Sequence, residues 1–295
     1  MKTIKSLLLS LVATVFMVSC SDDPEGPSST QYYGDCFHHV YNVMSGSYKI
    51  YDAPRYEFKF DYSDITVDIK IENVKFADAM PEISMSLEDL KWNMNNGFKV
   101  VSASNVIPKV DGVEMPDYTI SSLKIEILDR YVGAYYEPVV NVCFVVNNVF
   151  KVTAVQKHIL YMGETSVTNA SSSAPFTTNT QIYQLTIDKD LTARLKITGA
   201  KFALGMPALD MVFKGIGVVI NSGYGYALSS EKLIPEISDV PYPNYEIVNL
   251  SGNGIFASGL DLYFECNIKR ISDSNEVIIT PYAVNADLGF KILSE

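Results

Sequence analysis

The sequence predicts an all-β protein made of two tandem, homologous antiparallel β-domains. An internal repeat, strand-like alternation of apolar and polar residues and a near absence of helical patterns carry this prediction. The repeat is clearest where KFADAMP at residues 75–81 returns as KFALGMP at residues 201–207, with five of seven letters unchanged. At 295 residues, 47% of them hydrophobic, the chain is long enough for two separate apolar cores.

The first twenty residues have the arrangement of a secretory signal. Two lysines form a basic start, residues 6–17 form an apolar segment too short to span a bilayer, and a small residue precedes Cys20. The run MVSC at residues 17–20 resembles the lipobox of bacterial lipoproteins. This resemblance implies that the signal peptide, residues 1–19, is removed and that Cys20 is acylated. The alternative is plain secretion after a neighbouring small residue, in which Cys20 has no special role.

The residues after Cys20 bear on the location of the protein. Ser21, Asp22 and Asp23 are similar to the acidic tract of Bacteroidetes lipoproteins, which implies attachment to the outer membrane and display at the cell surface. Residues 20–30 would then be the acylated cysteine and a flexible tether. Three acyl chains hold a protein far more firmly than one, because each buried methylene contributes about 0.8 kcal/mol.

The repeat extends in both directions from the first match. DIKI at residues 68–71 faces RLKI at residues 194–197, and Ile107-Pro108 faces Ile234-Pro235. At shifted offsets, His38 also falls opposite His158. We therefore place the first β repeat domain at residues 31–157 and the second at residues 158–295.

Each copy alternates with the period of a strand. In YEFKFDYSD, residues 56–64, aromatic residues alternate with polar ones, so that rings face one side and charges the other. A second alternating run follows and predicts a hairpin, as do residues 139–155 and 260–282 near the end of each copy. Residues 86–93, SLEDLKWN, are compatible with one helical turn, but their counterpart FKGIGVVI favours a strand.

A meander of short strands can close as a barrel or fold as a sandwich. The pattern I-x-I-x-N-x-x-F, residues 69–76, followed by Met-Pro and another alternating strand, resembles the calycin-like β-barrel domains of uncharacterised Bacteroidetes lipoproteins. The resemblance implies two calycin-like barrels. A pair of β-sandwiches is the alternative, and the family supplies no catalytic motif to transfer.

The repeated Met-Pro has two interpretations. In the structural one, Met80 and Met206 occupy the same corner of two copies, where proline marks a strand start and methionine fills the end of the core. In the functional one, these two methionines line a ligand pocket together with Met85 and Met211.

The net charge, the cysteines, the histidines and the acidic pairs argue against several classes of function. The formal charge of −11 opposes nucleic-acid binding, because that needs a clustered basic surface. Cys36, Cys143 and Cys266 lack metal-site spacing. Cys143 and Cys266 lie in apolar runs, where buried thiols are expected, and one disulfide with Cys36 is the alternative. The three histidines match no known triad, and acidic pairs such as Glu88-Asp89 fit a solvated surface. We expect no catalytic residues, no metal and no cofactor.

Together these observations predict a non-enzymatic lipoprotein of the cell envelope, held in the outer membrane by its lipid. The expected partner besides the membrane is a small apolar or glycan ligand, or a protein; exposed tyrosines such as Tyr32 could stack on sugar rings. The alternative is a structural or adhesive, fimbria-like component in which chains exchange strands.

Overall fold

A computed structural model describes residues 28–52, 54–129, 131–132, 135–136, 139–169, 175–203, 205–221, 225–255 and 259–289, with side chains left undescribed at 131–136. The predicted signal peptide and lipidation site, Cys20, lie outside the described residues. None of the described residues forms a helix with the length and apolar character needed to span a membrane.

The described chain is almost entirely strand, with one short 3-10 helix at Pro116–Tyr118, so the predicted all-β class is confirmed. The described residues of the first half form fourteen strands: β1 Ser28–Tyr33, β2 Cys36–Asn42, β3 Ser47–Asp52, β4 Arg55–Asp61, β5 Thr66–Val74, β6 Ile83–Asn95, β7 Phe98–Ala103, β8 Lys109–Val110, β9 Val113–Glu114, β10 Ile120–Leu128, β11 Tyr131–Val132, β12 Tyr135–Tyr136, β13 Val139–Val146 and β14 Phe150–Gln156.

In the second half, the part of the chain that the structure describes has twelve strands: β15 His158–Met162, β16 Glu164–Asn169, β17 Phe176–Thr178, β18 Ile182–Ile187, β19 Thr192–Ala200, β20 Leu209–Ile220, β21 Gly225–Leu233, β22 Glu236–Ile237, β23 Val240–Pro241, β24 Tyr245–Ile255, β25 Gly259–Ile271 and β26 Val277–Gly289.

The two halves have the same topology. The first sheet runs β1-β4-β5-β6-β7-β10-β13-β14-β2-β3, and the second runs β15-β18-β19-β20-β21-β24-β25-β26-β16-β17. The small hairpins β8–β9 and β22–β23 attach at corresponding places, to β6 and β20. Strand for strand the orders are identical, as expected of two tandem homologous domains. The sheet changes between β14 and β15.

Each sheet curls into a half-barrel. β1 and β2 follow one another in the chain, yet they pair at opposite ends of the sheet, with β4 and with β14. The connection of two residues between β1 and β2 therefore brings the two ends of the curled sheet near each other. In the second half, the corresponding connection between β15 and β16 is Gly163, where an added Cβ would meet the carbonyl oxygen of Asp287 at 2.0 Å. No side chain fits at that approach.

Long bent strands form the corners. β6 pairs with β5 along most of its length and then with β7 from Trp92 onwards, and a bulge interrupts it at Asp89, with φ 54°. The equivalent residue of β20 is Gly215, with φ 73°. Asp68 Oδ1 accepts the freed N–H of Asp89 at 2.9 Å. Residues 86–93 are therefore bulged strand, and the helical turn considered from the sequence does not form.

The interiors of both sheets are filled by large side chains. Alternation along the strands directs aromatic residues inward, where the burial of each contributes roughly 1.5–3 kcal/mol. Apart from Phe37, which lies on the outer face of β2, the largest fully buried side chains fill these interiors: Tyr56, Phe58, Phe60 and Phe144 in the first half and Tyr161, Tyr183, Phe202, Phe213, Tyr226 and Phe264 in the second.

The repeated KFA-x-x-MP loop holds the end of each sheet. The Lys75 ammonium lies 5.9 Å from the ring centre of Tyr51 on the edge strand β3, and the Lys201 ammonium lies 5.4 Å from that of Phe176 on β17. The next residue of each loop is a phenylalanine. Phe76 packs edge-on against Phe144, and Phe202 packs edge-on against the equivalent ring, Phe264. The loop thus ties the terminal strand to the core.

The methionine closes this loop on itself. The N–H of Met80 donates to the carbonyl of Ala77, and the N–H of Phe76 donates to Met80 Sδ at 3.4 Å. Phe202 donates to Met206 Sδ at 3.3 Å in the same way. A soft sulfur acceptor in place of water satisfies a backbone donor at the rim of each core.

One detail of the sequence alignment is wrong. In the structure His38 is equivalent to Thr165, because Val40 pairs with Val152 and Val167 pairs with Val284 two residues further on. His158 lies instead in β15, the counterpart of β1. A match of two residues at a shifted offset could not reveal this, because β1 and β2 pair at opposite ends of the sheet and the sequence does not show their register.

The halves meet at the chain connection. The backbone of Lys157 donates its N–H to the carbonyl of Asp35 and accepts from the N–H of Ile187. It is therefore hydrogen-bonded to residues of both halves. Asp52 receives Lys157 at 3.1 Å and Lys189 at 2.8 Å, and Asp35 Oδ2 lies 2.7 Å from His158 Nδ1.

Apolar contacts accompany these ion pairs. Phe37 and Val155, which are fully buried, belong to the hydrophobic cluster of the second half, and Ile50 packs against it. These three residues lie on the outer face of β2, β3 and β14. The second half is therefore seated on the outside of the first.

The three cysteines of the described residues are thiols. Cys36, Cys143 and Cys266 are unpaired, and burial raises the pKa of Cys36 and Cys266 to about 12. The expectation of a buried thiol is confirmed for Cys266, whereas Cys143 is only half-buried.

Candidate functional site: a charged face on the first half

The outer face of β4 and β5 carries a ladder of opposite charges. Cross-strand neighbours are Arg55 with Glu72, Glu57 with Lys70, and Lys59 with Asp68. The sign alternates along each strand as well as across the pair. Alternation with a period of two puts all six side chains on the solvent side, because the aromatic residues between them fill the core.

Two cavities lie along this face. The larger is a groove of about 420 Å³ under the β8–β9 hairpin, and the smaller is a depression of about 350 Å³ beside β1. Both are bordered by Glu57, so they adjoin. The larger is lined by Glu57, Lys59, Asp68, Ile69, Lys70, Ser84, Met85, Ser86, Glu88, Lys109, Asp111 and Gly112. The smaller is lined by Tyr32, Tyr33, Gly34, Arg55, Tyr56, Glu57 and Glu72.

Some of these charges are already paired. Lys70 lies 2.6 Å from Glu72, and Lys109 lies 2.5 Å from Glu88. The hydrogen bond from Lys70 lowers the pKa of Glu72, and the hydrogen bond from Lys109 lowers the pKa of Glu88. Both carboxylates are thus held ionised, although solvent screening keeps such pairs weak.

Other charges on this face are available. The side chains of Arg55, Glu57 and Lys59 make no hydrogen bond or ion pair with any residue that the structure describes. Tyr32 is exposed at the end of the same face. A bound molecule with several hydroxyl groups could accept from the cations and donate to Glu57 without breaking a protein contact.

The second half does not reproduce the ladder. Its corresponding cross-strand pairs are Gln184 with Lys196 and Thr186 with Arg194, and they carry no acid. At the small hairpin the ion pair is reversed: Lys214 and Glu236, 2.5 Å apart, replace Glu88 and Lys109. The two faces therefore have different electrostatics on one backbone.

Beneath the face, the first half contains a buried polar pair. His38 Nε2 lies 2.5 Å from the Tyr56 hydroxyl, and burial lowers the pKa of His38 to about 3. Its Nδ1 has no hydrogen-bond partner among the described residues. The hydroxyl of Tyr33 lies beside the Cys36 thiol, with no oxygen or nitrogen partner in the described chain.

The second half satisfies the same positions differently. Thr165 replaces His38 and lies 2.7 Å from the Tyr183 hydroxyl, which in turn donates to Gln181. Tyr161 and Tyr226 share a hydrogen bond of 2.6 Å. His38 is neutral at ordinary pH and enclosed in the core, so its geometry is that of a packed polar residue.

The four methionines singled out in the sequence lie at the cores. Met85 and Met211 are fully buried, Met206 is buried and Met80 is half-buried. Only Met85 borders one of the two cavities described above. Their role as ligand-lining residues stays a prediction.

The remaining candidates are scattered. His158 pairs with Asp35 at the junction, and Glu88 belongs to the groove. In the described residues no group of three or more His, Cys, Asp or Glu is placed to hold a metal ion. The charge ladder was missed because each strand's alternation is visible in the sequence, whereas the register that opposes unlike charges is not.

Comparisons with known proteins are distant. No family model and no curated protein matches the chain. A Bacteroides fragilis structure described as an outer membrane protein is 11% identical, with a TM-score of 0.32, and the match covers 88% of this chain and 97% of that one. A tryptophan-to-alanine mutant of the vaccine antigen Transferrin Binding Protein B from Haemophilus parasuis is 9% identical, with a TM-score of 0.19, over 91% of this chain and 77% of that one. These likenesses are too remote to assign a function.

Proposed function

We propose that this chain is a non-enzymatic, lipid-anchored protein of the bacterial cell envelope that binds a hydroxyl-rich ligand of the glycan class along the charged face of its first half. The observation that carries the binding proposal is the groove of about 420 Å³, whose border includes Glu57 and Lys59, two charged side chains without a hydrogen bond or ion pair to a described residue. An exposed tyrosine at the end of the same face supplies a ring on which a sugar could stack.

A glycan fits this face better than an apolar ligand does. The interiors of both sheets are occupied by aromatic side chains, and the cavities described above lie on the outside, among charged groups. Apolar ligands need an apolar, enclosed pocket, whereas hydroxyl groups exchange well with the water of a polar groove.

Binding is tested by isothermal calorimetry with a panel of α-glucan, xylan and chitin oligosaccharides. We expect one class to bind, and Glu57→Ala/Lys70→Ala to weaken that binding because it removes a cross-strand pair of the face. The matched control is Gln184→Ala/Lys196→Ala, the same pair in the second half. Equal loss in both variants, or no binding to any member of the panel, would contradict the proposal.

The anchor and the outer-membrane location belong to the same proposal and rest on the sequence around Cys20. Labelling with radioactive palmitate in a Gram-negative host should mark the wild type and not Cys20→Ser. A labelled Cys20→Ser variant, or an unlabelled wild type recovered in the soluble fraction, would refute the anchor.

We favour this function over the fimbria-like alternative because of the sheet edges. Strand exchange needs a terminal strand that detaches. The terminal strand β3 is tied down by Lys75 over Tyr51 and by contacts of Asp78 with Lys49 and Tyr51. A monomeric mature chain in light scattering is the expected result.

A further inference from the structure

One end of the first sheet displays apolar side chains to solvent. It consists of the loop after β4 and the last residues of β6, where Tyr62, Ile65 and Met94 are 43%, 52% and 59% exposed. Behind them lies Trp92, which is edge-on to Tyr62 with ring centres 5.5 Å apart. We call these four residues the apolar end.

The backbone at the apolar end is unusual. Ile65 has φ 55°, in the left-handed region that β-branched residues avoid. Asparagine or glycine would relieve this strain, so an exposed isoleucine there has a cost that solvent contact does not offset. Its carbonyl accepts the N–H of Trp92 at 3.4 Å, which fixes the loop against β6.

The equivalent end of the second half has the same backbone conformation but is less exposed. Leu191, with φ 58°, occupies the place of Ile65, and its carbonyl accepts from Val218, the counterpart of Trp92. Leu191 and Ile220, the counterpart of Met94, are only partly exposed, and they pack against the hydrophobic cluster of the second half, which Phe37 and Val155 also join. The corresponding residues of the first half are more exposed.

A second copy of the chain is a poor occupant for the apolar end. The receiving surface on the first half consists of Phe37, Val155 and Ile50. By strand register, the same positions of the second half are Glu164, Asp287 and Thr177. Two carboxylates would be buried against apolar side chains, so head-to-tail growth of this contact stops after two units.

The N-terminal segment leaves the sheet at the apolar end. Ser28, the first residue of β1, pairs with Asp61, and Ser29 Oγ lies 2.8 Å from the Tyr62 hydroxyl. Only residues 21–27 separate Ser28 from Cys20. Fully extended, this segment reaches about 25–30 Å. An acyl group on Cys20 would therefore keep the apolar end close to the bilayer surface.

We propose that the apolar end is a membrane-contacting surface, in which Tyr62, Ile65 and Met94 enter the interface of a phospholipid bilayer. The proposal rests on the acylation of Cys20 proposed above. Tyrosine and tryptophan suit this depth because each combines an apolar ring with a polar group. The contact would hold the first half in one orientation, with the strands of its charged face running along the membrane normal. Without the contact, the domain would move freely on its tether.

The charges around the apolar end are mixed. Lys91 binds the carbonyl of Asp64, and Lys99 lies 4.8 Å from the ring centre of Phe60 and 3.5 Å from Asp129. Lysines and aspartates therefore offset one another here. We expect contact with a zwitterionic bilayer, without preference for anionic lipid.

Trp92 is the single tryptophan of the chain, so it reports on this end alone. The test places the full acylated protein in phosphatidylcholine vesicles that carry bromine-labelled acyl chains. Trp92 emission should fall relative to unlabelled vesicles, because bromine quenches tryptophan only near the acyl region. Mass spectrometry of the same sample determines whether Cys20 is acylated.

The test variant is Ile65→Asn/Met94→Asn. Asparagine suits the left-handed backbone at residue 65, and Met94 is exposed, so the variant should fold. We expect it to lose most of the quenching. The matched control is Val113→Asn, at an apolar residue 63% exposed in the small β8–β9 hairpin, and it should leave the quenching unchanged.

The outcomes separate this inference from the anchor. An acylated protein without quenching would overturn the membrane contact and leave the anchor standing. An unacylated wild type would overturn both. Absence of quenching together with self-association in sedimentation that Ile65→Asn/Met94→Asn abolishes would assign the apolar end to a second copy instead.

Discussion

Phe37 and Val155 in the first half correspond to Glu164 and Asp287 in the second, on strands paired in the same register. The first pair is buried under the neighbouring half, whereas the second pair is acidic. A similar contrast separates the charge ladder of β4 and β5 from its uncharged or basic counterpart. One backbone thus supports different surfaces, because outward positions are free to change while inward ones must fill the core.

The largest expected effect concerns the seat between the halves. Phe37→Ala should lower the free energy of unfolding by about 3–5 kcal/mol, because it opens a cavity under the cluster of the second half. Urea unfolding followed by circular dichroism measures this. Glu164→Ala, at the equivalent place, should stay within about 0.5 kcal/mol. A large effect at both sites would show that the halves are not seated as described.

The second prediction concerns the buried pair that the halves satisfy differently. His38 has an ordinary pKa of 6.5, lowered by burial to about 3 in the folded protein. Below pH 6.5 the unfolded chain therefore binds a proton that the folded chain excludes. The free energy of unfolding then decreases as the pH is lowered. The loss should reach about 2 kcal/mol at pH 5, at 1.36 kcal/mol for each pH unit.

Replacing His38 by the residue of the second half isolates this effect. His38→Thr should flatten the stability profile between pH 7 and pH 5, measured by urea unfolding at each pH. Carboxylates such as Glu246, whose pKa the hydrogen bonds from Lys232 and Lys269 lower to about 2, lose their contribution mainly at lower pH. An unchanged slope in the variant would mean that His38 titrates normally.

The third prediction tests whether the repeated loop does the same work in both halves. Met206→Leu keeps the volume but removes the acceptor for the N–H of Phe202, and we expect a loss of about 1 kcal/mol. Met80→Leu should cost less, because its site is half-exposed and water can replace the sulfur. Urea unfolding of both variants provides the comparison. A greater loss at Met80 would point to a role beyond closing the loop.

The sequence was sufficient for those features that depend on local periodicity. Alternation in residues 56–62 predicted both the strand and its inward face, and the KFA-x-x-MP repeat predicted equivalent corners. What it could not supply was pairing between distant segments. The opposition of Glu57 to Lys70, the equivalence of His38 and Thr165, and the bond of Asp52 to Lys189 all depend on how strands far apart in the chain come into register.

The smallest expected effect concerns the ion pair at the small hairpin, Glu88 with Lys109, which appears with reversed signs as Lys214 with Glu236. Glu88→Lys places two ammonium groups together and should lower Tm slightly, since both side chains are solvent-exposed. Adding Lys109→Glu should restore Tm, because the second half demonstrates that this backbone accepts the reversed pair. Calorimetry of the two variants gives both values.

The restored pair should nevertheless weaken glycan binding if the groove functions as proposed. Glu88 and Lys109 border the groove of the first half, and their reversal changes the order of donors and acceptors without changing the fold. A double variant with native Tm and weakened binding would therefore separate the surface from the scaffold. Native binding in that variant would move the ligand toward the unpaired residues of the smaller depression, beginning with Arg55 and Tyr32.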